Sequence, residues 1–346
     1  MTATLGQRPR AAPSNPSTSN ALLHSSLQTM SVTVQEAAEA YINERETELS
    51  DSSIQNHRYQ IKQFRVWCSN NSIATLDNIE AIDISRFRRD RSQEINNNTL
   101  YNQLSVLRLF LAFCARMQWC DEHLSESIVL PRRDGQARHT AIDSDRVEAI
   151  LSELEQYRYA SVDHVILSLL WTTGMRIGAL RALDVDDVHI DERWLNVAHR
   201  PTEGTPLKNK NNSERQINLH DWVADALGAW MSDRRPDTTD GYGRSPLIAT
   251  KSGRAARSTI RGHIYRLTAC GSLGSGCGCS DFPSKCDEAV APHDIRRSSI
   301  SAWLQKGVEP ALLSDRVDTS TDMMDKHYDV RTESEKRERR RDAFDM

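Results

Sequence analysis

VDHVILSLLWTTGMRIGAL (162–180) is the stretch whose reading decides the fold of this chain. Residues 162–173 are nearly all apolar and predict a helix buried on every side, closed by Gly174. Arg176 stands just past that stop, a place where an arginine is ordinarily a surface residue. Two later segments give it interest. HDIRR (293–297) sets His293 and Arg296 three apart, on one helical face, and DKHYD (325–329) holds Tyr328 among charged neighbours. Taken singly, each of these is uninformative.

Working outward, Asp143 or Ser144 can cap a helix that turns Val147, Ile150, Leu151 and Leu154 inward. PRRDGQARHT (131–140) has proline, glycine and charge without apolar period, so 131–142 reads as a linker. Residues 31–130 read as a small all-helical domain. Asp51 or Ser52 caps a helix carrying Ile54, Ile61, Phe64 and Cys68 on one face, and a second helix from near Asn98 carries Leu100, Leu104, Leu107, Leu111 and Cys114. Between them DISRFRRDRSQE (83–94) gathers Arg86, Arg88, Arg89 and Arg91; a solvated helix face and contact with a phosphate backbone fit equally well. Residues 1–30, rich in Ser, Thr, Pro and Ala, read as a disordered tail. Toward the C-terminus, RWLNVAHR (193–200) and ERQINL (214–219) read as two strands around a polar turn, KNKNNS. Helices resume near residue 221 and after Ser299. The expected fold is mainly α with one small β-sheet, in two domains, 31–130 and 143–346.

The 346 residues leave room for two cores, and no apolar run approaches the ~20 residues of a membrane span. With no secretory apolar segment at the N-terminus, a cytoplasmic protein is expected. The net charge of −4 argues against nucleic acid on its face, but phosphate binding needs only a local basic surface. The basic residues are 36 Arg against 8 Lys, a bias that suits planar recognition of phosphate. Abundant Asp with scarce Lys also suits a protein adapted to high salt.

The order and spacing of the weak signals carry more than any one of them. The set resembles the tyrosine recombinase (phage integrase) family, in its Xer-like branch, whose catalytic domain carries Arg, a hairpin Lys, H-x-x-R and Tyr in that order. Arg176 matches through T-G-x-R, with Asp187 eleven residues on, where the family usually has an Asp. Lys210 precedes Arg215 by five residues and Leu219 by nine, His293 and Arg296 match the second box, and Tyr328 follows Arg296 by 32. The helical 31–130 segment is similar to the family's N-terminal DNA-clamping (core-binding) domain. The resemblance implies a site-specific recombinase that cleaves and rejoins DNA through a 3′-phosphotyrosyl intermediate, for integration, excision or resolution.

That chemistry suits these residue types. Two arginines neutralise the non-bridging oxygens of a phosphodiester as charge builds on them. A phenol with a pKa of ~10 needs a base, for which His293 serves. The leaving 5′-oxygen needs a proton, assigned to Lys210. Strand joining then needs no cofactor. The implied partners are double-stranded DNA with a specific site, a homotetramer assembled on that DNA from monomers, and accessory DNA-bending proteins, with no membrane. Two positions depart from the pattern. Thr319 stands 23 residues after Arg296, where a His or Trp usually touches the phosphate, and Ala179 replaces an acidic residue three after Arg176. A Thr hydroxyl can still donate to a phosphate oxygen, whereas an ionised Asp318 cannot.

CGSLGSGCGCSDFPSKC (270–286) spaces Cys270, Cys277, Cys279 and Cys286 as C-x6-C-x-C-x6-C, a set that suits structural zinc, with free thiols as the other reading. RTESEKRERRRDAF (331–344) is charged and reads as a surface helix or, through KRERRR, a DNA contact, while the resemblance implies a segment that docks on a neighbouring protomer. Two rival functions remain at this point. A type IB topoisomerase shares the chemistry but relaxes supercoils, and a non-catalytic zinc-containing DNA-binding protein would keep the fold without it.

Overall fold

The computed structural model describes residues 31–133, 142–270 and 282–328, together with residues 1, 2, 337 and 341. The expected tail apart from residues 1 and 2, most of the linker, Cys277, Cys279 and nearly all of the charged C-terminal segment lie outside the described residues. The chain divides into two units, Met1–Gln136 and Ala137–Met346.

Among its described residues the first unit has four α-helices, α1 (Val34–Glu46), α2 (Asp51–Asn70), α3 (Ala81–Glu94) and α4 (Asn97–Arg116). A capping box starts α1, the Thr33 hydroxyl accepting from the Glu36 amide while the Glu36 carboxylate accepts from that of Thr33. Asn96 caps α4 by accepting from the Thr99 amide at 2.9 Å. The cap of α2 is Ser50, one residue ahead of the expected Asp51 or Ser52, and its side chain makes no capping bond. The periodic apolar positions of α2 and α4 are buried as their spacing requires, around Phe64, Phe87 and Phe110. Phe64 and Phe87 meet edge to face at 5.1 Å.

The second unit holds α5 (Ser144–Tyr157), α6 (Val162–Thr173), α7 (Ile177–Ala182), α8 (Asp221–Ala229), α9 (Arg257–Thr268), α10 (Pro292–Gln305), α11 (Pro310–Val317) and α12 (Thr321–His327). Its three-stranded antiparallel sheet runs in the order β1 (Val188–His189), β2 (Trp194–Val197), β3 (Arg215–Asn218), with Leu195 opposite Ile217. Both of those side chains are buried, so the period of two sets which face meets the core. The link between β2 and β3 is longer than a hairpin turn. It spans 198–214 and contains two short 3₁₀ turns, Pro201–Glu203 and Lys210–Ser213. A second small hairpin, β4 (Ala249–Thr250) and β5 (Gly253–Arg254), was not expected, and neither was α9. The helix expected after Ser299 starts earlier, at Pro292, whose missing amide costs nothing in a first turn. No helix among the described residues is long and apolar enough to cross a membrane.

α6 is the centre of this core, with Val165, Ile166, Leu167, Leu169 and Leu170 at or below 1% exposure. It stops where the sequence places the stop. Gly174 is left-handed at φ 59°, and its amide returns to the Leu170 carbonyl at 3.1 Å. A Cβ at Gly174 would also meet Val317 Cγ1 at 3.0 Å, so α11 packs directly on the bend.

Candidate active site

Gly174 places both arginines. Its own carbonyl accepts from Arg296 Nη1, and Arg176 follows two residues later as the extended residue that opens α7. Arg296 lies in the second turn of α10, 1% exposed, its charge surrounded by protein. Burial and the neighbouring Arg176 pull its pKa down to about 10, which leaves it charged at neutral pH. Two guanidinium groups held this close repel each other, an arrangement that favours an anion between them.

Thr319 joins the two arginines. Its hydroxyl accepts from Arg296 Nη2 and, at 3.4 Å, from Arg176 Nη2. With both lone pairs engaged, its proton is left to donate elsewhere. Arg176 also pairs with Asp318, which has 11% of its side chain exposed. Asp318 ends α11 at φ 54°, a left-handed conformation more open to Asp than to most side chains. Its Oδ1 accepts from Asn209 Nδ2 at 2.8 Å and its Oδ2 from Ser213 Oγ at 2.6 Å. Burial works against its charge, yet these hydrogen bonds and the arginines Arg176 and Arg215 hold its pKa below the usual carboxylate value.

Tyr328 follows α12 directly. Its amide donates to the Met324 carbonyl at 2.8 Å, and its carbonyl accepts from Ser301 Oγ at 2.9 Å. The ring is 7% exposed, packed with Ile300, Leu304, Leu313, Val317 and Met324. Its side chain lies near enough to the Arg296 guanidinium for the two to interact electrostatically. Tyr328 therefore shares a cleft of about 680 Å³ with Arg176, His293, Arg297, Asp318 and Thr319. His293, in the first turn of α10, is exposed on this cleft. Partial desolvation there and the charge of Arg296 lower its pKa below the ordinary imidazole value, so it is neutral at neutral pH.

The structure brings together Arg176, His293, Arg296, Thr319 and Tyr328. Lys210 does not join them: it is exposed at φ 57° in its 3₁₀ turn and lies outside the cleft lining. Lys208 lines the cleft instead. It follows Leu207, which is buried and whose amide donates to His199 Nδ1 at 2.9 Å, so the chain is anchored just before the lysine. The spacing from Arg215 selects Lys210, whereas the buried leucine beside Lys208 is the sequence signal that points to the other lysine. Asp187 is structural, making a two-point ion pair with Arg200 at 2.6 and 2.9 Å. Arg215 is structural too, donating to the carbonyls of Arg316 and Ser213 at 2.8 and 2.7 Å.

Among the four arginines of α3, Arg86, Arg88 and Arg89 are exposed, the first paired with Asp83 and the third with Asp90. Arg91 turns inward, donating to Gln103 at 3.0 Å and pairing with Glu94. In the cysteine segment, Cys270 is disulfide-bonded, and its sulfur lies 3.3 Å from that of Cys286. No group of three metal-ligating side chains gathers among the described residues.

The Phage integrase family profile matches residues 140–334, and the profile of the phage integrase N-terminal SAM-like domain matches 39–118. Tyrosine recombinase XerD of Staphylococcus epidermidis is 23% identical over 277 residues, covering 78% of this chain and 85% of that protein. Among solved structures, the Tn1549 transposon integrase in complex with a circular intermediate DNA superposes with a TM-score of 0.61 at 17% identity, covering 90% of this chain and 100% of that one. A lambda integrase tetramer bound to a Holliday junction gives 0.63 at 16% identity, covering 85% and 76%. These structures share the fold.

Proposed function

The chain belongs to the phage integrase family and is a site-specific tyrosine recombinase, and from that premise we propose that Tyr328 is the nucleophile that takes the 3′ side of the cleaved strand. The observation that carries this reading is that Tyr328 lines one cleft with Arg176 and His293, beside the buried Arg296. Attack forms the tyrosyl O–P bond and breaks the bond from phosphorus to the 5′-oxygen. His293 takes the phenolic proton, Arg176 and Arg296 hold the non-bridging oxygens, and the Thr319 hydroxyl donates to one of them. A loop lysine protonates the leaving 5′-oxygen, and we assign Lys208 to that role ahead of Lys210 because it lines the cleft. The reverse attack by a 5′-hydroxyl reseals the strand, so the phosphodiester energy is conserved and no cofactor enters the chemistry. Peptide mapping of the covalent adduct formed on a nicked suicide duplex tests the assignment; phosphotyrosyl DNA on a residue other than Tyr328 refutes it.

The proposed partner is duplex DNA carrying a specific site. Assembly as a tetramer on that DNA is supported by the lambda integrase tetramer on its junction. The exposed Arg86, Arg88 and Arg89 of α3 would contact the phosphate backbone. For the reduced chain we also propose that Cys270, Cys277, Cys279 and Cys286 hold a structural zinc ion, which the closeness of the Cys270 and Cys286 sulfurs supports. Metal analysis of protein purified under reducing conditions should find about one zinc per chain; its absence would remove the site.

A further inference from the structure

The Asp318 carboxylate is bound by three groups from two parts of the fold. Arg176 comes from the α6–α7 bend, while Asn209 and Ser213 come from the long link between β2 and β3. Asn209 adjoins Lys208, and Ser213 closes the turn that Lys210 opens. The Ser213 hydroxyl also accepts from the Asn209 amide at 3.2 Å, so the carboxylate grips the loop at two points that are themselves joined. The loop is otherwise polar and exposed, with Lys208, Asn209, Lys210, Asn211 and Asn212 all open to solvent. The anchor at Leu207 holds only its N-terminal side, so without a second hold the segment would sample many positions and its lysines would be poorly placed as acids.

We propose that Asp318 is a positioning residue for the leaving-group step, holding the lysine loop against Arg176 so that the Lys208 ammonium stands beside the departing 5′-oxygen. The inference rests on the reading that a loop lysine protonates that oxygen. Asp318 touches neither the nucleophile nor the leaving group; it acts through Asn209 and Ser213. Its carboxylate also answers one of the two arginine charges in the free protein, so phosphate has to share Arg176 with it.

A substrate with sulfur in place of the bridging 5′-oxygen separates this role from its rivals. In both substrates the tyrosyl O–P bond forms and the bond to the leaving atom breaks. A thiolate, with a conjugate-acid pKa of about 8.5, departs without a proton, whereas an alkoxide needs one. Cleavage of the oxygen and sulfur duplexes is compared for the wild type and for Lys208→Ala, Lys210→Ala, Asp318→Ala and Asp318→Asn, with thermal melts confirming that each variant is folded. Asp318→Ala should lose roughly a hundredfold on the oxygen substrate, the scale of a displaced general acid. It should recover to within about tenfold of the wild type on the sulfur substrate, as Lys208→Ala does. Asp318→Asn retains one acceptor for the loop and should fall between Asp318→Ala and the wild type. If Lys208→Ala recovers on sulfur while Asp318→Ala stays equally slow on both substrates, the positioning role is wrong and the lysine reading stands. Unchanged or faster cleavage of both substrates by Asp318→Ala also overturns it, the latter marking the carboxylate as a competitor of the phosphate. If neither lysine variant recovers, the lysine reading fails and takes this inference with it.

Discussion

Thr319 receives hydrogen bonds from both site arginines, and this explains how a small hydroxyl can stand where the resemblance led one to expect His or Trp. The larger residue would bring its own N–H to the phosphate; Thr319 offers one O–H whose direction is fixed by what its lone pairs accept. His293 has the converse arrangement, with a pKa lowered by desolvation and by Arg296. In the proposed mechanism a neutral base therefore persists as pH falls through the ordinary imidazole value, and the acidic limb of a cleavage–pH profile should lie below about 6.5. His293→Gln should lower the rate and flatten that limb; an acidic limb that survives the substitution would assign it to another group. The same shift fixes its sign for stability. The unfolded chain binds this proton more readily, so the contribution of His293 is complete above the unfolded pKa and is lost as pH falls toward the folded one. At this scale the proximity of Arg176, Arg296, His293 and Tyr328 was legible because each belongs to a helix boundary or a helix face. The place of Lys208 on the cleft was not, because loop residues obey no period and the spacing from Arg215 passes through a 3₁₀ turn.

Elements with strong periodicity were read correctly, though α2 is capped at Ser50, one residue ahead of the expected cap, and α10 begins at Pro292. The apolar α6 and its Gly174 stop are the best case: the glycine supplies the left-handed turn, and its carbonyl then holds Arg296. α9 escaped notice because its inward positions Ile260, Ile264 and Leu267 are diluted by four basic residues: Arg257, Arg261, His263 and Arg266. β4 and β5 are two residues each, too short for any pattern to register. For α3 the structure divides four arginines that the sequence left equivalent. Replacing exposed Arg86, Arg88 and Arg89 with Gln should weaken DNA binding across unrelated sequences. The slope of log affinity against log salt should also fall, by about one for each phosphate that these side chains neutralise. Binding titrations at several salt concentrations read this directly; an unchanged slope would leave these arginines as a solvated face.

At the scale of the whole molecule, a net charge of −4 coexists with a cleft lined by Arg176, Lys208 and Arg297 because acidic residues are paired elsewhere. Asp184, for example, is 6% exposed and pairs with Arg244 and Arg254, both at 2.5 Å, while Asp187 pairs with Arg200. These pairs cancel locally, while Arg176 and Arg297 line the site and Arg176 pairs there with Asp318. Composition could not reveal that separation, since it depends on which charges the fold brings together. The most direct test of the account is a nicked suicide duplex carrying the chain's own recombination site, incubated with the wild type and with Tyr328→Phe. The wild type should become covalently joined to the 3′ end of the cleaved strand, and Tyr328→Phe should bind the same DNA without forming the adduct. An adduct that persists in Tyr328→Phe would contradict the assigned nucleophile.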